Sequence, residues 1–183
     1  MDVQAISAEL QTRFSLPEGA LKVQRATRLW VDVDMAGFPA LFDHIVKGMG
    51  FNILCTITGL DLGADLGYIY HLAHDCGIMV NVKTRSPKGS TVKSVTPYFP
   101  CADLYERELV DLLGAHVDGL GPGPRYPLPE DWPVDEHPLL KDWTPKGATP
   151  AGDAPAAGAP AATPAQPASP PPAAPAEKGS TPA

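Results

Sequence analysis

Residues 144–183 contain no Leu, Ile, Val, Phe, Tyr or Trp, yet they hold 11 of the chain's 22 prolines and many of its alanines. Such a stretch cannot bury enough apolar surface to offset the entropy of ordering it. It is expected to be a disordered, partly polyproline-II tail. Whatever folds must therefore lie in about residues 1–143, a length that still allows a real hydrophobic core.

Within that part the apolar periodicity changes several times. Val3, Ile6, Leu10 and Phe14 at helical spacing predict an amphipathic helix over residues 2–14, stopped by Pro17. Residues 29–35 alternate, with Leu29, Val31, Val33 and Met35 on one face, and predict a half-buried antiparallel strand. Phe38, Leu41, Phe42, Ile45, Val46 and Met49 form the stripe of a core-facing helix closed by Gly50. Three apolar, β-branched runs follow, 51–60, 67–73 and 77–83, separated by short turns, and they predict an antiparallel meander. Residues 86–90 read as a loop and 92–95 as a short apolar run. A further helix is expected from about Pro100 to Leu113, ended by Gly114. Residues 119–138 are too rich in Pro and Gly for regular structure and must run over a surface.

The order of elements is that of an α+β fold: a two-layer sandwich of a mostly antiparallel sheet with helices on one face, followed by an irregular extended arm and the tail. The expected division is a core over 1–100, the last helix and its arm over 101–143, and the tail over 144–183.

Several function classes are disfavoured by composition. No apolar run reaches the ~18 residues of a membrane span, and the first residues lack the pattern of a signal peptide. Cys55, Cys76 and Cys101 form no CxxC pair, which argues against a disulfide framework, a zinc site or an iron–sulfur cluster. His71, His74 and Cys76 lack a fourth ligand nearby, and alternation along a strand sends positions 71 and 74 to opposite faces. The glycines at 119, 121 and 123 do not link a strand to a helix, and Pro122 and Pro124 remove amide donors that a phosphate would need. Glu108 and Asp111 are spaced as an acid/base pair, but no nucleophile or metal motif accompanies them.

The net charge of −7 excludes generic nucleic-acid binding, and it is unevenly spread. Residues 101–143 set three basic side chains, Arg107, Arg125 and Lys141, against ten carboxylates, whereas the rest of the chain is balanced. Such a segment is either a solvated surface or one made to meet a basic partner. Leu104, Leu109, Leu112 and Leu113 are expected to dock the helix, leaving Glu106, Arg107, Glu108 and Asp111 to project and to fix the path of the arm through its carbonyls and charges. The arm's Tyr126, Trp132, His137 and Trp143 either tuck back on the parent domain or anchor to another protein, and the second reading is favoured.

Three separated motifs carry a family resemblance. They are Leu104-Tyr105-Glu106-Arg107-Glu108 with Asp111-Leu112 and Gly114, then Pro129-Glu130-Asp131-Trp132, then His137-Pro138-Leu139 with Lys141-Asp142-Trp143. Over about residues 20–143 the chain resembles the 30 kDa family of respiratory complex I, the NADH-quinone oxidoreductase, and the equivalent component of energy-converting NiFe hydrogenases. It departs from the family pattern at Val110, Leu113 and Leu140 and in residues 119–122, where Arg125 takes the place of an arginine usual further along. The shortened arm looks closer to the hydrogenase branch.

The resemblance implies a non-catalytic structural subunit in the peripheral arm of a complex I-like membrane oxidoreductase. It implies a large partner, the 49 kDa protein that forms the quinone site or its counterpart that holds the NiFe centre, around which the arm wraps. It implies no cofactor in this chain, with iron–sulfur clusters and NiFe or FMN in partner subunits, and a cytoplasmic, peripheral location. Tyr105, Glu106, Arg107, Glu108 and Asp111 are the residues expected to position the contact. Arg125, Trp132, His137, Lys141, Asp142 and Trp143 are those expected to dock. Two rival readings remain open: a small acid/base enzyme using Glu108, Asp111 or His116, and a soluble adaptor whose Pro-rich tail recruits a partner.

Overall fold

The computed structural model describes residues 1–145. The expected tail lies, beyond its first two residues, outside the described residues. The chain begins with α1 (Val3–Phe14), whose buried Val3, Ile6 and Leu10 are the predicted stripe. A hairpin of β1 (Leu21–Arg25) and β2 (Arg28–Asp32) leads into α2 (Phe38–Asp43), which continues through a wider π turn at His44–Gly48. The meander follows as β3 (Ile53–Asp61), β4 (Asp65–Ala73) and β5 (Met79–Pro87). Then come β6 (Thr91–Lys93), α3 (Ala102–Leu113) and β7 (His116–Asp118).

The main sheet has the order β1-β2-β5-β4-β3, antiparallel except where β2 runs parallel to β5. Its register explains its core. Leu29 and Val31 stand beside Val80 and Val82, these beside Leu72 and Tyr70, and these beside Leu54 and Ile57, and every one of them is buried. Helices cover this face. The rings of Phe38 and Phe42 on α2 lie 4.8 and 5.4 Å from that of Tyr70. α3 comes so close to β3 that a side chain added at Gly59 would meet Leu113 Cδ1 at 2.3 Å and Leu109 Cδ2 at 2.5 Å. The opposite face carries a row across the sheet: Trp30 packs edge-on against His71, whose ring nitrogens bond Asn81 Oδ1 at 2.7 Å and Thr58 Oγ1 at 3.1 Å.

Some expectations need correction. β2 ends at Asp32, short of Met35, and one of its two partners is parallel; an alternating pattern has period two in either case and cannot choose between them. The helix expected over 38–49 keeps its stripe, with Ile45 and Met49 buried, but its second half is a π turn. β5 runs on through Ser86 and Pro87, so the loop expected there is cut to a turn at Lys88–Ser90. β1 and the short parallel pair β6 and β7 carried too little apolar pattern to be foreseen.

Phe42 is 1% exposed and meets the rings of Phe38, Tyr70, Tyr98 and Phe99 with centroids 5.1 to 6.3 Å apart. Phe42→Ala is expected to cost about 3–5 kcal/mol, measured as a fall in the urea midpoint.

Candidate functional site

The site is built on α3. Its inward side holds Ala102, Leu109 and Leu113, and the helix stops at Gly114, whose φ of +68° is the left-handed region that favours glycine. The stop also needs space. A side chain at Gly114 would meet the His137 ring at 2.7 Å, and that ring's Nδ1 donates to the Asp111 carbonyl at 2.9 Å.

Two acids expected to project from this helix turn inward instead. Glu106 is 2% exposed and accepts from Val95 N and Ser94 Oγ, each at 2.7 Å, which ties the approach to the helix onto its middle. Burial pushes its carboxyl up, opposed by those two bonds. Asp111 is 6% exposed and accepts from Arg125 Nε at 2.9 Å and Leu128 N at 3.2 Å. Leu104, expected to dock the helix, is 54% exposed. Tyr105 donates to the Cys55 carbonyl at 3.0 Å.

Two arginines then hold the arm by its main chain. Arg107 is anchored by Asp103, whose carboxyl it holds below the usual range, and reaches the carbonyls of Gly121 at 2.9 Å and Pro124 at 3.4 Å. Arg125 binds the carbonyls of Trp132 and Pro133 while paired with Asp111. The expected aromatic anchors fold back onto each other. The rings of Trp132 and Trp143 lie 6.0 Å apart, with their indole N–H groups donating to Glu136 O and Glu136 Oε2. Leu139 N donates to the Leu112 carbonyl at 3.0 Å, returning the arm to the end of α3.

The far end of the arm is clasped by Asp61, a residue sequence reasoning missed. Its carboxylate accepts from Lys141 N at 2.9 Å, Gly63 N at 2.8 Å and Lys88 Nζ at 3.0 Å. These bonds, that from Lys141 N foremost, lower its pKa from 3.8 to about 2. Its position in a turn marked only a reversal of the chain, and the partner lies 80 residues on. Lys141 thus contributes its backbone here, and the Asp142 side chain is exposed, 3.9 Å from Lys88.

The groups of the acid/base reading do not share a hollow. Glu108 lines a groove against β3, Asp111 lines another under the arm with Arg107 and Arg125, and His116 on β7 reaches the Gly89 carbonyl. Among the described residues no group of three His, Cys, Asp or Glu side chains is placed to hold a metal. No helix among them is long and apolar enough to cross a membrane.

Residues 24–149 match the family model of the respiratory-chain NADH dehydrogenase 30 Kd subunit, and the chain belongs to that family. One subunit of the NADH-quinone oxidoreductase of Moorella thermoacetica is 32% identical over 111 residues, 57% of this chain and 72% of that protein. Hydrogenase-4 component G of Escherichia coli is 51% identical over 49 residues, 27% of this chain and 9% of that longer one. A chain of the membrane-bound sulfane sulfur reductase, an archaeal respiratory membrane complex, superposes with a TM-score of 0.66 at 25% identity, over 77% of this chain and 85% of that one.

Replacing Asp111 by Asn removes the partner of a nearly buried guanidinium. It is expected to cost about 3 kcal/mol and to speed tryptic cleavage after Arg125, read by mass spectrometry of the digest. Asp61 has its folded pKa depressed, so its stabilisation is complete above the ordinary value of 3.8 and is lost as pH falls through about 2. Asp61→Asn is expected to unfold at a lower temperature near neutral pH, and the gap from the unaltered chain should close as pH falls between those two values, followed by circular dichroism.

Proposed function

We propose that this chain is a non-catalytic structural subunit in the peripheral arm of a complex I-like membrane oxidoreductase, and that α3 and the arm dock its quinone-site or NiFe-type large subunit. The observation that carries the reading is the arm itself. Though irregular, it is bound from Gly121 to Lys141 by α3 and by Asp61, so it offers a surface already ordered. A partner meeting such a surface loses less conformational entropy on binding.

That surface has the character of a docking site. Val134 is 83% exposed and Tyr126 44% exposed, and the acids Glu130, Asp131 and Asp135 lie exposed around them. Apolar contacts within an acidic rim suit an apolar recess bordered by basic residues. Among the expected docking residues, Arg125, His137 and Trp143 act by shaping the arm, and Trp132 presents the remaining part of its ring. Family membership and the respiratory-complex relatives support the assignment to such an assembly. In this reading the electron carriers, iron–sulfur clusters with NiFe or FMN, belong to partner subunits, and the chain lies on the cytoplasmic side of the membrane, held there by its complex.

The test is purification of the tagged full chain from its native membranes in mild detergent, with mass spectrometry and metal analysis. A cluster-bearing large subunit should be recovered with it. Val134→Glu should lower that recovery about tenfold with the melting temperature unchanged, and deletion of residues 144–183 should leave it nearly unaltered. Recovery of the unaltered chain as a monomer without partners would overturn the proposal.

A further inference from the structure

The two edges of the main sheet are treated differently. β1 is guarded as an edge in water must be: Lys22 and Arg25 stand on it, and its register shifts between Val23 and Arg25. β3 closes the other side of the sheet and pairs along its length with β4. From Ile53 to Leu60 it has no charged residue and no proline, and its irregularity is confined to one end, between Leu54 and Thr56. Alternate residues of such a strand direct N–H and C=O away from their neighbour. Among the described residues, no backbone bond from residues 56–60 reaches any segment other than β4.

Beside this unguarded edge runs a groove of about 250 Å³ between Thr56–Gly59 and the Leu109, Leu112 and Leu113 side of α3, with Leu139 of the arm at one end. Leu104, Glu108 and Leu112 follow one another at four-residue spacing along the helix, so they share its groove-side face. Leu104, one helical turn before Glu108, and Leu139, which lines the groove, are 54% and 55% exposed. Glu108 lines the groove and has no ion pair among the described residues.

We infer that β3 receives an extended segment of a partner subunit as a sixth strand, its alternate apolar side chains entering the groove between β3 and α3 and a lysine or arginine meeting Glu108. Backbone pairing supplies the affinity of such an addition, and the leucine-lined groove selects side chains of period two. Charge complementarity at Glu108 fixes the register of the added strand. The inference rests on the proposed subunit role, and it names a contact apart from the acid-rimmed surface around Val134 and Tyr126.

The experiment uses the tagged full chain in its native membranes. Leu104→Glu and Leu139→Glu are compared with Lys22→Glu on the guarded edge, reading partner subunits recovered per chain and the melting temperature of each purified variant. Both groove variants should lower recovery about tenfold at unchanged melting temperature, and Lys22→Glu should not. With p-benzoylphenylalanine replacing Leu104, irradiation of the membranes should link the chain to a partner-subunit peptide of alternating apolar residues with a basic residue among them. Undiminished recovery by both groove variants, no cross-link, or a cross-link to a second copy of this chain would overturn the added strand while leaving the subunit role standing. Failure of the unaltered chain to recover any partner would instead overturn that role.

Discussion

The Asp111–Arg125 pair joins an ordered helix to an arm that has no regular structure of its own. Residues 119–138 contain six prolines, so the segment is poor in N–H donors and keeps its full set of carbonyl acceptors. It cannot satisfy them by helix or ladder. A guanidinium brings five donors in a rigid fork, and a carboxylate on α3 holds one fork in place. Asp111 and Arg125 are both largely withdrawn from water, which is tolerable because Leu128 N and the Trp132 and Pro133 carbonyls complete their bonding. The later contacts, the tryptophan pair and the Asp61 clasp, follow on a path that this junction sets.

The elements that were legible share one property: their apolar pattern is long enough to have a period. α1, the stripe of α2, the meander and α3 with its glycine stop were all readable in this way. β1 has Leu21 and Val23 as its apolar residues and lies at an edge, and β6 and β7 are three residues each. Periodicity over so few positions carries no signal. The parallel pairing of β2 with β5 is a fact of topology, decided by the whole meander rather than by either strand.

At the site, residue types were informative and directions were not. The two arginines, the carboxylates of α3 and the aromatics were marked out by unusual choices at fixed spacing. Which of them face inward depends on the segments that fold over them. Glu106 is buried where the Ser94 hydroxyl and the Val95 N–H close over it, whereas Leu104, on the same helix, stays exposed. Asp61 was invisible for a different reason: its partner's N–H belongs to the main chain of Lys141, and no side-chain pattern encodes a backbone donor.

Arg107 and Arg125 grip the oxygens of Gly121, Pro124, Trp132 and Pro133, groups that every kind of amino acid possesses. The route of the arm is therefore largely indifferent to what its outward side chains are. Those side chains can be rewritten to suit a different neighbour without unfastening the strap that presents them. A fold built this way separates the inheritance of a shape from the inheritance of a specificity, and lets one scaffold serve several machines.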